Sequence, residues 1–270
     1  MKVFEKYNKL SKIGSGAFGV VYKAQNKINK ELVAIKEIPI IQNDTNIKED
    51  IERELKFMEI FNYSQNSVKL YEKFEENGII YAIIELCDGD IPYFLKKTKN
   101  GFSITEIKII MNQFNKILYE IRKKNMVHND VKLDNLLVKF KTGKEFEIKL
   151  MDYGLSKLIS SDKDLTNNQW GLKPYTEGGP EALYFIEKID LFNIGGDIYI
   201  MLFNEKPKTL EEIMNKIDNN IKDEDLKDLL KKLFIIEPKK RIDWDDYFNH
   251  KFFKIEKEEF NNVEHIIKGI

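Results

Sequence analysis

Hydrophobic and polar positions change their period near residue 90 of this chain. Before that point, short apolar runs alternate with turn residues. Val20-Val21-Tyr22-Lys23-Ala24 and Leu32-Val33-Ala34-Ile35-Lys36 read as paired strands joined through Asn26-Lys27-Ile28-Asn29-Lys30. Residues 68–74 and 79–86 read as a second pair, with Asn77-Gly78 as the hairpin signal between them. Ile47, Ile51, Leu55 and Met58 keep helical spacing, which predicts a helix over 47–60 capped by Asp44 or Thr45. Past Asp88-Gly89-Asp90 the helical period takes over. Ile107, Ile110, Met111, Phe114, Ile117, Leu118 and Ile121 share one face of a helix over 104–123, and further helices are expected near 190–203, 210–217, 226–234 and 243–253. The pattern predicts an α+β chain, with a small β-rich part followed by a larger α-helical one and a hinge near Glu85 to Asp90.

Composition changes this picture little. The 270 residues are 42% hydrophobic and 33% charged, enough for a sizeable core in a charge-rich globular protein. A formal charge of -1 gives no reason to expect nucleic acid or an anionic membrane as the main partner. Cys87 is the single cysteine, which excludes an internal disulfide and a cysteine-based zinc site. No apolar run approaches the ~20 residues of a bilayer span. Met1-Lys2-Val3-Phe4-Glu5-Lys6 lacks a secretory apolar core, so a cytoplasmic or nuclear location is expected.

The chemistry concentrates in His128-Asn129-Asp130-Val131-Lys132-Leu133-Asp134-Asn135, where an acid, a lysine and an amide lie two and five residues apart. A carboxylate can accept a hydroxyl proton, a lysine can neutralise charge on a phosphate, and an amide oxygen can bind a metal ion. Asp152-Tyr153-Gly154 places a second acid 17 residues after Asn135. Either aspartate alone is more simply a turn or cap residue, but the two together, each with such neighbours, make that reading improbable. Gly14-Ser15-Gly16-Ala17-Phe18-Gly19-Val20-Val21 fits a glycine-rich phosphate loop, in which missing side chains let backbone amides approach phosphates. A dinucleotide-binding fold uses a similar triplet but needs a helix directly afterwards, whereas Val20-Val21-Tyr22 continues as a strand. Val33-Ala34-Ile35-Lys36 ends an apolar strand on a lysine that needs an acid partner; Glu54 is best placed, with Glu52 and Glu49 as competitors. His128, flanked by Met126-Val127, reads as a packed structural histidine.

In this order the motifs resemble the eukaryotic protein kinase family, serine/threonine type, over nearly the whole chain. The resemblance extends to Gly179-Pro180-Glu181, to Asp190-Leu191-Phe192-Asn193-Ile194-Gly195 as the helix anchoring the catalytic loop, and to Arg241 as the partner of Glu181. It implies the two-lobed kinase fold: residues 1–84 as N-lobe, 85–90 as hinge and 91–270 as C-lobe. It implies ATP and Mg²⁺ as cofactors and proteins with Ser/Thr hydroxyls as substrates. Lys36, positioned by Glu54, would hold the α/β-phosphates. Asp130 would orient the acceptor hydroxyl and take its proton, and Lys132 would steady the γ-phosphate. Asn135 and Asp152 would bind Mg²⁺. The nucleotide would contact Ile13, Gly14, Ser15, Gly16 and Gly19 of the loop. Val21, Ala34 and Leu137 would enclose the adenine, the backbone of Glu85 and Cys87 would hydrogen-bond it, and Asp90 would reach the ribose, with Ile84 beside the pocket. Lys132 favours serine/threonine over tyrosine specificity. Two other readings carry less weight: a nucleotide-holding scaffold without efficient transfer, and a small-molecule kinase of related fold.

The chain departs from the family pattern at four places, one of them the hinge, which is one residue short at Asp88-Gly89-Asp90. Asn129 stands where the family has arginine, Tyr153 where it has phenylalanine, and Gly171–Gly179 does not align with the substrate-cradling segment without a shift. An amide cannot make the charge-assisted bidentate pair that anchors a phosphorylated loop. Activity is therefore expected not to depend strictly on phosphorylation at Ser160, Ser161, Thr166 or Thr176. Transfer assays before and after phosphatase treatment check this, and complete loss of activity would overturn it.

Overall fold

A computed structural model describes residues 2–16, 19–40, 45–141, 145–159 and 181–254. The elements run α1 (Val3–Lys6), β1 (Tyr7–Gly16), β2 (Gly19–Asn26), β3 (Leu32–Pro39), α2 (Thr45–Ile60), β4 (Leu70–Glu76), β5 (Ile79–Glu85), β6 (Gly89–Asp90), α3 (Ile91–Leu95), α4 (Ile104–Lys123), β7 (Met126–Val127), β8 (Leu136–Phe140), β9 (Phe146–Leu150), β10 (Lys157–Leu158), α5 (Glu181–Phe203), α6 (Leu210–Asn220), α7 (Glu224–Leu233) and α8 (Trp244–Phe248). Two compact units divide them. The first comprises Met1–Asp88 with Leu137–Lys141 and Glu145–Gly154, and the second holds the rest.

The first unit is built on an antiparallel sheet in the order β1-β2-β3-β5-β4. Its register assigns the faces. Val33, Ile35, Tyr81 and Ile83 share one face and pack with Ala24, Val3 and Tyr7, so α1 and the start of β1 cover that side. Val21 pairs with Lys36, Ala34 with Ile84, and Lys36 with Ala82, which puts these five on the opposite face. β4 and β5 meet at Asn77-Gly78, where φ values of 51° and 74° meet the positive-φ demand of a two-residue hairpin turn. At Gly19, an added Cβ would lie 2.0 Å from the Glu37 carbonyl oxygen, so no side chain fits. Tyr7–Gly16 is a ten-residue strand that patterning did not reveal. It lies on the sheet edge, where Asn8, Lys9, Ser11 and Lys12 face water, and beyond the buried Tyr7 it is held by pairing with β2.

The second unit is helical. α4 matches its predicted span, and Ser103 caps it reciprocally with Glu106. All seven residues of its predicted apolar face are buried. α5 begins nine residues earlier than expected, at Glu181. The helix expected over 243–253 is broken instead. α8 ends at Phe248, and His250, in extended conformation, accepts the Phe252 amide through Nδ1 to start a separate 3₁₀ turn at Lys251–Phe253. Arg241 is buried, donating to the carbonyls of Lys188, Ile235 and Ile236. Asp44, Ala17, Phe18, Ser160, Ser161, Thr166, Thr176, the 171–180 segment and the side chain of Glu181 lie outside what is described. No helix among the described residues is long and apolar enough to cross a membrane.

One acid is set deep in this unit. Burial pushes the Asp190 carboxyl from its usual 3.8 up to about 6, against the pull of the Asn129 and His128 amides it accepts. Between those values the folded chain keeps a proton that the unfolded chain has released. This group's contribution to stability is therefore full below 3.8 and lost as pH rises through about 6. Asp190→Asn should flatten that stretch of the stability profile, as denaturant unfolding across the window will read; an unchanged slope refutes the assignment.

Candidate active site

In the first unit, β3 is central in the sheet, so Lys36 is not a solvated edge lysine. Its Nζ lies 2.7 Å from Glu54 Oε1, and the Glu54 side chain is buried. Helical spacing explains the choice of partner: Ile51, Leu55 and Met58 turn inward, Glu54 lies on their side of α2, and Glu52 is exposed. Val21 and Ala34 flank Lys36 on the same face, beside Ile84. Ile13 and Ser15 are exposed on β1 and Gly14 is half-buried.

The segment after Ile84 is braced rather than loose. The Asp88 amide donates to the Val138 carbonyl at 2.8 Å, Asp88 Oδ2 accepts the Phe140 amide at 2.8 Å, and Lys139 Nζ reaches the Leu86 carbonyl at 2.5 Å. Behind it, Lys149 is buried with Nζ 3.1 Å from Glu85 Oε2 and 3.2 Å from Glu147 Oε2. Burial, with the charge of Glu85, pushes the Cys87 thiol up to about 12, so it stays protonated and a poor nucleophile. Leu137 belongs to this unit and is half-buried on β8.

Asp152 follows β9 with φ +64°, a left-handed backbone that aspartate, with its short polar side chain, adopts more readily than most non-glycine residues. Its Oδ1 accepts the Gly154 amide at 3.3 Å. The hydroxyl of Tyr153 does find a partner, Ser67 Oγ at 2.8 Å.

The second unit holds the other group. Asp130 Oδ2 receives Lys132 Nζ at 2.7 Å and Asn135 Nδ2 at 3.0 Å, and that same Nδ2 donates to the Asp130 carbonyl at 2.8 Å. Both bonds use the amide nitrogen, so the oxygen of Asn135 is oriented away from Asp130, the flip that suits an oxygen-preferring cation. Two aspartates of α5 hold this segment from behind. Asp190 accepts the His128 amide at 3.1 Å and the Asn129 amide at 3.0 Å, and Asp197 accepts the Leu133 amide at 3.2 Å. His128 is buried, in accord with a packed histidine, and Asn129 adopts φ +63°, which asparagine tolerates. Asp90 serves as N-cap of α3, accepting the Tyr93 amide at 2.7 Å.

Sequence reasoning overlooked Asp197, Lys149 and Ser67. A buried aspartate two helical turns after Asp190, and a lysine inside an apolar strand, were visible breaks in pattern; Ser67 carried no signal.

A protein kinase domain model matches residues 7–253. Among curated relatives, cyclin-dependent kinase 9 of Danio rerio is 26% identical, over 93% of this chain and 81% of its own length. Cyclin-dependent kinase-like 1 of Caenorhabditis elegans is 31% identical over 63% of this chain. Calcium-dependent protein kinase 5 of Plasmodium falciparum is 31% identical over 90%. The chain spans 48% of the length of the second and 44% of the third, about half in each case. A β-sheet unit holding a buried lysine–glutamate pair, a helical unit holding Asp130, Lys132 and Asn135 in one hydrogen-bonded group, and a family match across 7–253 agree: this chain belongs to the eukaryotic protein kinase family, with its two-lobed α+β fold.

Proposed function

We propose that the chain is a Mg-ATP-dependent protein kinase that phosphorylates serine and threonine hydroxyls of protein substrates. The observation that carries the reading is the Lys36–Glu54 pair at 2.7 Å. An ammonium held rigidly by a buried carboxylate is a preorganised counter-charge for phosphates, whereas a free lysine would first lose side-chain entropy. Mg²⁺, when bound, supplies charge neutralisation along the phosphates, and Asp152 and Asn135 offer the hard oxygen ligands it prefers.

Each role follows from chemistry at a stated atom. Lys36 Nζ takes the α/β-phosphates. Asp130 aligns the acceptor hydroxyl and receives its proton as the oxygen bonds to the γ-phosphorus and the bond to ADP breaks. Its tie to Lys132 leaves the ammonium beside the developing charge on the transferred group. Val21, Ala34, Ile84 and Leu137 supply apolar contact for the adenine, and the braced backbone of Glu85 and Cys87 supplies its hydrogen bonds. Asp90, with Oδ1 engaged at the α3 cap, keeps Oδ2 for a ribose hydroxyl. We place the protein in the cytoplasm or nucleus.

The test is γ-phosphate transfer from Mg-ATP to a degenerate Ser/Thr/Tyr peptide library. Transfer to Ser/Thr peptides is expected, with kcat falling about 10²- to 10⁴-fold in Asp130→Ala. Lys36→Met should weaken transfer with the fold intact. Absence of transfer in a preparation that still binds Mg-ATP would favour the scaffold reading and point to the 171–179 segment as its cause.

A further inference from the structure

The left-handed backbone of Asp152 is clamped on both sides by one short stretch of the same unit. Before it, the Leu150 amide donates to the Asn66 carbonyl at 2.8 Å and the Leu150 carbonyl accepts the Val68 amide at 2.9 Å. Asn66 Nδ2 reaches the Ile148 carbonyl at 2.8 Å. Residues 66–68 therefore run along the end of β9 like a partial extra strand. After Asp152, Tyr153 folds back onto this stretch. Its ring stacks on Phe61, with centroids 5.5 Å apart and planes 14° from parallel. Its hydroxyl meets Ser67 Oγ at 2.8 Å, and both residues are 0% exposed.

Burial gives this hydroxyl pair its force. A phenyl ring could leave such a pocket and lose only contact area, but a tyrosine that leaves strands the Ser67 hydroxyl in a dry site. The Val68 carbonyl, which Ser67 Oγ also reaches, is 3.4 Å away and at the limit of a hydrogen bond. Conformers that turn Tyr153 out, and swing Asp152 with it, are penalised. The same stretch follows α2, which carries Glu54, and Phe61 is the first residue beyond that helix. One turn thus ties the Glu54 helix to Asp152.

We propose that Ser67 is a positioning residue, which acts through the Tyr153 hydroxyl to hold Asp152 in its metal-ligating conformation. This rests on the reading of Asp152 as a Mg²⁺ ligand. It assigns the unusual tyrosine a function that phenylalanine could not perform.

Three variants test it: Ser67→Ala, Tyr153→Phe and the double substitution. Binding of a non-hydrolysable ATP analogue is titrated by calorimetry across a Mg²⁺ series, alongside the Mg²⁺ dependence of kcat and the thermal midpoint. Each single variant should raise the Mg²⁺ half-saturation about three- to tenfold, the effect of one buried hydrogen bond. The double variant should be no worse than the larger single, and metal-free analogue binding should be unchanged. Lower thermal midpoints with unaltered Mg²⁺ dependence, or additive effects in the double variant, overturn the proposal and leave a structural pair. Asp152→Asn separates the two claims. If it leaves Mg²⁺ dependence intact, the reading of Asp152 falls and the latch with it. If it abolishes that dependence while Ser67→Ala and Tyr153→Phe do not touch it, the latch alone falls.

Discussion

The Asp190 carboxylate, buried in α5, makes an irregular stretch of backbone tenable at residues 128–130. The amides of His128 and Asn129 belong to no helix or sheet ladder at this turn, and both donate to the one carboxylate. Unpaired, each would carry the penalty of a buried polar group. Asp197 repeats the device two turns further along α5, on the Leu133 amide, just before the short turn that carries Asn135. Asp130, Lys132 and Asn135 are thus hung from a helix rather than from a loop. Such burial is expensive. Desolvation pushes the Asp197 carboxyl well above its usual range, and its Oδ2 has no hydrogen-bond partner among the described residues. What the acids contribute is therefore geometry more than stability.

The counterpart in the first unit is β3, paired on both edges, with one face covered by the cluster under α1 and the other met by Glu54 of α2. Val33 and Ile35 face the cluster under α1, while Ala34 and Lys36 face the other way with Val21 and Ile84. A one-residue slip of β3 would send Lys36 into the apolar cluster and Ile35 to Glu54. Register here fixes the Lys36–Glu54 pair as well as the packing, and the buried apolar face enforces it.

These two constraints were unequally legible. Strong periodicity located α4 and the β2–β3 and β4–β5 pairs, since one buried face leaves its mark on every second or every third and fourth residue. The partnership of Lys36 with Glu54 also followed from spacing, because only one of three glutamates lies on the apolar side of α2. β1 escaped notice, since an edge strand with exposed polar residues has no burial pattern to display. The break at Asn249-His250 was hidden for another reason: the apolar spacing continues through Phe252 and Phe253 although the backbone does not. Ser67 and Asp197 are tertiary choices. Their meaning comes from a hydroxyl 86 residues away and an amide 64 residues away, and no local window contains either partner.

The ion network around Lys149 obeys the same logic of position over stability. Its ammonium is buried among Glu85, Glu147 and the Gln65 carbonyl, and Lys141 and Gln65 both reach Oε1 of Glu147. Apolar residues of equal volume would serve the core at least as well. What they could not do is bind the end of β5, the end of α2's following turn and the strand leading to Asp152 at one shared point. Glu85 opens the segment proposed to face the adenine, and Lys149 lies three residues before Asp152. A shift of that segment must therefore either carry the end of β9 with it or leave a buried charge unpaired. Under the proposed roles of Glu85 and Asp152, Lys149 would couple the placing of nucleotide and metal without contacting either.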